Sequence, residues 1–184
     1  MFTFLKAEGL EIGNSLVEAD KVDLAGQLLR EARTRAIGLV LPADCIIAQR
    51  FENDAPHRTV SVRHIPPGWM GVDIGPETIT LFDRAVRAAK TVIWNGPMGV
   101  FEMPNYAQGT SQLASVLALA TENGATTVVG GGDTAAAIAK CGLEKAVSHV
   151  STGGGASLEF LEGKVLPGIA ALTTAGNVIP TLDV

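Results

Sequence analysis

Two cysteines, three histidines and a single tyrosine are all that the 184 residues contain of those types. Cys45 and Cys141 form no metal-binding spacing, and a chain of this length is no small disulfide scaffold. Both read as buried, reduced thiols of a cytosolic protein. No apolar run approaches the roughly 18 residues that a membrane span requires. The opening "MFTFLKAEGL" places Lys6 and Glu8 where a signal peptide would keep an apolar core. No Lys/Arg cluster stands out either, and 19 acidic against 14 basic residues leave a net charge of −5. Nucleic acid is thereby disfavoured as a partner. Three well-known motifs are missing as well: G-x-x-x-x-G-K-[ST], G-x-G-x-x-G and G-x-S-x-G. A nucleotide site, if the chain has one, belongs to another class.

What the chain does have is apolar residues, 47% of the total, and 21 glycines. The length suits one domain with a sizeable core. Short runs at 37–42 ("IGLVLP"), 58–63, 90–95 ("KTVIWN"), 126–131 ("TTVVGG") and 147–152 ("VSHVST") read as strands. Several are rich in Val and Ile without clear alternation, as strands covered on both faces should be. Helical patterns lie between them. Leu24, Leu28 and Ala32 recur at i, i+4 and i+8, and Leu113, Val116, Leu117 and Ala120 form a second apolar face. The segment 66–77, "PPGWMGVDIGPE", reads as a Gly/Pro-rich loop leading into a helix. The expected architecture is α/β: three layers, Rossmann-like, a mostly parallel sheet with helices on both faces.

In such sheets ligands sit outside the carboxyl ends of the strands. Three strands end in glycine turns: "NGPMG" after Trp94, "GGGDT" after Val129 and "STGGGAS" after Val150. Glycine lets backbone approach a ligand, and free amides at a helix start bind anions without lysine. Each turn also has a plainer reading. Asp133 or Thr134 could simply cap a helix. Three consecutive glycines could serve as a hinge. Glu102 could be a solvated turn acid. His57, His64, His149, Trp69, Trp94 and Tyr106 read as packing or edge residues.

The blocks "TFLKA…EIGNSLVE", "LPADCIIA", "IPPGWMGVDIGPET", "VIWNGPMGVFE", "GGGDTAAAIAK" and "SHVSTGGGASLEFLEGKVLPGIAAL" together resemble phosphoglycerate kinase. They run in that family's order from about Phe2 to Leu172. The resemblance implies that 1–184 is a partial C-terminal, nucleotide-binding domain. It further implies Asn95 near the nucleotide phosphates and Glu102 on the ribose hydroxyls, with Gly71 and Val72 at the adenine slot. Gly131, Gly132, Asp133 and Thr134 would surround the phosphates, Asp133 being the ligand of a magnesium ion that comes with ATP or ADP. Gly153, Gly154 and Gly155 would face the transferring phosphoryl group.

The reaction so implied is reversible phosphoryl transfer between 1,3-bisphosphoglycerate and ADP, giving 3-phosphoglycerate and ATP in glycolysis. The family's N-terminal half, which takes the phosphoglycerate, has no counterpart in the chain. Nor has a lysine-bearing glycine turn from the start of the nucleotide domain. Negligible transfer by the chain alone, a monomeric state and a cytoplasmic location follow as expectations. The alternative is a nucleotide-binding or structural remnant without kinase activity. A dehydrogenase is disfavoured by the absent dinucleotide fingerprint. The tail "TTAGNVIPTLDV" matches no block of the family.

Overall fold

A computed structural model describes residues 1–172, which form two three-stranded sheets. In chain order come α1 (Phe2–Ala7), α2 (Val22–Thr34), β1 (Asp44–Ala48), β2 (His57–Ser61) and β3 (Met70–Ile74). There follow α3 (Pro76–Ala88), β4 (Thr91–Asn95), α4 (Gln108–Glu122), β5 (Thr126–Gly130) and α5 (Gly132–Lys140). The last elements are β6 (His149–Ser151), α6 (Gly154–Leu161) and α7 (Pro167–Leu172). The unassigned tail, 173–184, lies outside the described residues. None of the described helices is long and apolar enough to cross a membrane.

The second sheet is parallel, ordered β4-β5-β6, with Trp94 opposite Val129 and Val129 opposite Val150. Helices flank it, in agreement with the α/β reading. Its core joins Trp94 and Val129 to Leu113, Ala114 and Leu117 of α4, Ile138 of α5 and Val147. Burying one such aliphatic side chain is worth about 1.5–3 kcal/mol. The buried face of α4 therefore fixes this helix on the sheet, as the 3.6-residue spacing predicts.

Of the first sheet the strand pattern finds only β2, through the run 58–63, and misses β1 and β3. This sheet is antiparallel, ordered β2-β1-β3, with β1 at its centre. Residues 37–42 form no strand. Ile37, Leu39 and Val40 stay exposed, and no strand among the described residues lies beside them to take their backbone groups. The ladder begins two residues later, at Asp44, where both neighbours are available. Conversely the Gly/Pro-rich 66–77 segment contains β3, because pairing with β1 overrides its weak strand propensity.

Helix α2 is also turned from its expected face. Leu24 and Leu28 are exposed, whereas Ala25 and Leu29 are buried. The small residues Ala25 and Gly26 let α1 come close, and a Cβ on Gly26 would touch that of Ala7 at 4.0 Å. Cys45 is fully buried, and burial pushes its thiol up to about 12. Cys141 is only half-buried, with its Sγ 3.7 Å from Ser111 Oγ; both thiols are free.

Asp44 ties the first sheet to α3. Its Oδ2 accepts the N–H of Glu77 at 3.1 Å, and its Oδ1 accepts the N–H and the hydroxyl of Thr78 at 2.8 and 2.7 Å. The carboxylate is nearly sealed from water. It satisfies amides that the first helical turn leaves without partners.

Candidate functional site

Where β4 ends, the chain turns at Gly96, whose φ of 97° is a backbone shape that only glycine adopts freely. Trp94 Nε1 donates to the Gly96 carbonyl at 2.7 Å and holds the turn from below. The Gly96 N–H donates to Thr134 Oγ1 at 2.8 Å, so the first turn of α5 supports the loop after β4. Further along, Thr110 Oγ1 accepts the amides of Met98 and Gly99 at 3.1 and 3.3 Å. Val100 N–H reaches the Val72 carbonyl of β3 at 2.9 Å. Lys140 Nζ donates to the carbonyls of Phe101 at 2.8 Å and Glu102 at 3.4 Å. One loop is thus tied to α4, to both ends of α5 and to the antiparallel sheet.

The other two glycine turns meet beside it. Gly131 has φ of 95° and donates to the Ser151 carbonyl at 3.0 Å. A Cβ on Gly131 would come within 3.3 Å of Asn95 Oδ1 and 3.5 Å of Thr134 Oγ1. A Cβ on Gly154 would lie 2.6 Å from the Gly131 Cα and 3.6 Å from Asn95 Nδ2. The turns after β5 and β6 therefore pass backbone against backbone, with the Asn95 side chain alongside. Asn95, Gly131, Thr134 and Gly154 come together in this way; Gly132, Gly153 and Gly155 are their exposed neighbours in the chain.

Both helices that start here are open. Among the described residues nothing accepts the amides of Gly132, Asp133 and Thr134, nor those of Gly154, Gly155 and Ala156. Partial positive charge collects at such ends. Asp133 is exposed and does not cap α5, contrary to the plainer reading; its carboxylate has no partner among the described residues. Glu102 is likewise exposed, and its carboxylate has no partner among the described residues. No group of three His, Cys, Asp or Glu gathers into a metal cage among the described residues. A magnesium ion carried by phosphates needs only one or two protein carboxylates, and Asp133 fits that donor set.

Gly71 and Val72 lie elsewhere. The Phe2 ring fills the space a Cβ on Gly71 would take, and the Gly71 N–H donates to Ser15 Oγ at 2.9 Å. Val72 is buried with Ala48, Ala55 and Tyr106. Its carbonyl accepts the Val100 N–H, and Val100 and Met103 of the loop after β4 pack against the cluster that holds it. A cavity of about 370 Å³ lies on this side of the molecule, lined by Leu5, Leu41, Ser61 and Arg63 among others, and shares no residue with the three turns.

Sequence reasoning overlooked Thr110, Lys140 and Asp73. Asp73 is the one with a visible signal, an acid inside the apolar run "GVDIG". It is nearly sealed from water. Its Oδ2 accepts the Gly109 N–H in the first turn of α4, and its Oδ1 that of Ile74, both at 2.8 Å. A Cβ on Gly99 or Gly109 would collide with this carboxylate. Loss of hydration pushes its pKa up to about 6, against the two amide bonds that pull it down.

Glycine turns and open helix starts at the carboxyl ends of parallel strands place the chain among the open α/β proteins, whose ligands sit at that edge. Within that class, the family model for phosphoglycerate kinase matches residues 1–164, and the chain belongs to the phosphoglycerate kinase family. It is 55% identical over 175 residues to the phosphoglycerate kinase of Synechococcus sp. (strain JA-2-3B'a(2-13)), covering 95% of this chain and 42% of that one. Identity to the Chloroherpeton thalassium enzyme is 58% over 175 residues, with 95% and 44% covered. The phosphoglycerate kinase structure from Coxiella burnetii superposes with a TM-score of 0.88 at 43% identity, over 94% of this chain and 43% of that one. That from Pyrococcus horikoshii OT3 gives 0.76 at 28% identity, over 93% and 42%. The chain spans under half the length of these curated relatives.

Proposed function

We propose that the chain is the C-terminal, nucleotide-binding part of a phosphoglycerate kinase and receives Mg-ATP or Mg-ADP at the three glycine turns. The reaction it serves is the reversible transfer between 1,3-bisphosphoglycerate and ADP that yields 3-phosphoglycerate and ATP, a cytoplasmic step of glycolysis. The carrying observation is the pair of uncapped helix starts whose glycines touch beside Asn95.

Phosphoryl transfer asks for positioning and charge neutralisation more than for covalent help. In this reading the free amides of Gly132 and Thr134 receive the inner phosphates, with Asn95 hydrogen-bonding from the side. The amides of Gly154 and Gly155, and the turn at Gly153, face the outer phosphoryl group as charge develops on its oxygens. Asp133 holds the magnesium ion, which when bound offsets phosphate charge. Glu102 accepts the ribose hydroxyls. Gly71 and Val72 border the adenine slot.

The acceptor substrate belongs to the part of the relatives that this chain does not span. Little or no turnover is therefore expected of the chain alone, and a second reading, nucleotide binding without catalysis, describes its own chemistry. Calorimetric titration of the 184-residue chain with Mg-ADP tests the proposal. Saturable binding that weakens at least tenfold in Asp133→Ala supports it. Absence of binding, or binding indifferent to both magnesium and Asp133, overturns it.

A further inference from the structure

Lys140 closes α5, the helix whose other end carries Gly132, Asp133 and Thr134. Its ammonium donates to the carbonyls of Phe101 and Glu102 at 2.8 and 3.4 Å and lies 5.9 Å from the centre of the Phe101 ring. Among the described residues no other hydrogen bond ties Phe101 or Glu102 to a different element: Phe101 N–H and Met103 N–H bond only within their own turn. Among the described residues Lys140 has no carboxylate partner, so the two carbonyls are where its charge is used. A cation here suits the negative end of the α5 dipole as well. Eight steps separate Gly132 from Lys140, a helix roughly 12 Å long.

Resting on the nucleotide reading above, we propose that Lys140 is a positioning residue for Glu102 and that α5 couples the two ends of the nucleotide. Its first turn faces the phosphates. Its last residue fixes the segment from which the Glu102 carboxylate reaches the ribose. Lysine is suited to this because its three donors turn freely toward two carbonyls. A movement of α5 toward the phosphates would shift the ribose anchor with it.

The test titrates the 184-residue chain with Mg-ADP and, separately, with magnesium pyrophosphate, which has no ribose. Lys140→Met should weaken ADP roughly tenfold, the scale of one lost charge-assisted hydrogen bond, and leave pyrophosphate within about twofold. Lys140→Arg should restore most of the ADP affinity, and Lys140→Met combined with Glu102→Gln should be no weaker than Glu102→Gln alone. Circular dichroism confirms folding of each variant, and Lys140→Gln, which keeps one donor, replaces Lys140→Met if the latter fails to fold. Equal losses for ADP and pyrophosphate, unchanged ADP binding, or additive losses in the double variant would each overturn the coupling while leaving the nucleotide site standing. A wild-type chain that takes up neither ligand overturns both readings together.

Discussion

Four helices begin close to a strand of this fold, and its two halves treat those beginnings differently. Where α3 and α4 start against the antiparallel sheet, a carboxylate of that sheet fills the start. Asp44 of β1 takes the first-turn amides of α3, and Asp73 of β3 takes that of Gly109 in α4. In the parallel half α5 and α6 begin on glycines, and among the described residues no side chain caps them. The same backbone electrostatics thus serve two ends. An internal carboxylate makes a helix start part of the core, and an empty one keeps it available to an anion that arrives from outside.

The most severe way to break this contrast is to empty a filled start. Asp44→Ala leaves the buried Thr78 amide and the part-buried Glu77 amide without their acceptor, and should cost about 2–4 kcal/mol in urea unfolding. A loss under about 1 kcal/mol would mean that the cap is dispensable.

Asp73 sharpens the contrast through pH. Its folded pKa is raised to about 6, so the folded state binds the proton more tightly than the unfolded chain does. Below about pH 4 both states are protonated and Asp73 adds no penalty. As pH rises from about 4 to 6 the unfolded chain ionises first, and stability falls by up to about 3 kcal/mol before levelling off above pH 6. Thermal unfolding of the wild type and of Asp73→Asn across that range should show this slope in the wild type alone.

Gly154→Ala fills an empty start with a methyl group. Its Cβ would press on the Gly131 backbone at 2.6 Å, costing roughly 1–3 kcal/mol of stability. Pyrophosphate binding, measured by calorimetry, should fall further than that stability loss explains. The smallest structural effect belongs to Asp133→Ala, which removes an exposed acid that caps nothing. Its melting midpoint should correspond to a change below about 1 kcal/mol, while Mg-ADP affinity drops at least tenfold.

The parallel half was legible in the sequence because its signals are local. "KTVIWN" and "TTVVGG" are dense in β-branched residues and run into glycine, at Gly96 and at Gly130, so strand and turn are visible within ten residues. The antiparallel half was legible only at β2, through the run 58–63. β3 carries two glycines' worth of weak propensity around it and becomes a strand only by pairing with β1. Residues 37–42 have the composition of a strand and no partner. The caps were hidden for the same reason, since Asp44 reaches 34 positions to Thr78 and Asp73 reaches 36 to Gly109. Thr110 carries no motif, and Lys140 closes the block "GGGDTAAAIAK" with nothing to mark its role. Their importance lies in which carbonyls and amides the packed elements place beside them.

The indole of Trp94 gives this arrangement an optical readout. It is 4% exposed and bonded to the Gly96 carbonyl, so its emission should be blue-shifted and sensitive to the turn after β4. Trp69 is half-buried, with the Arg58 guanidinium 4.8 Å above its ring, and sits in the other half of the molecule. The two chromophores therefore report on separate neighbourhoods. A ligand that reaches the glycine turns should change the short-wavelength part of the spectrum and leave the long-wavelength part alone.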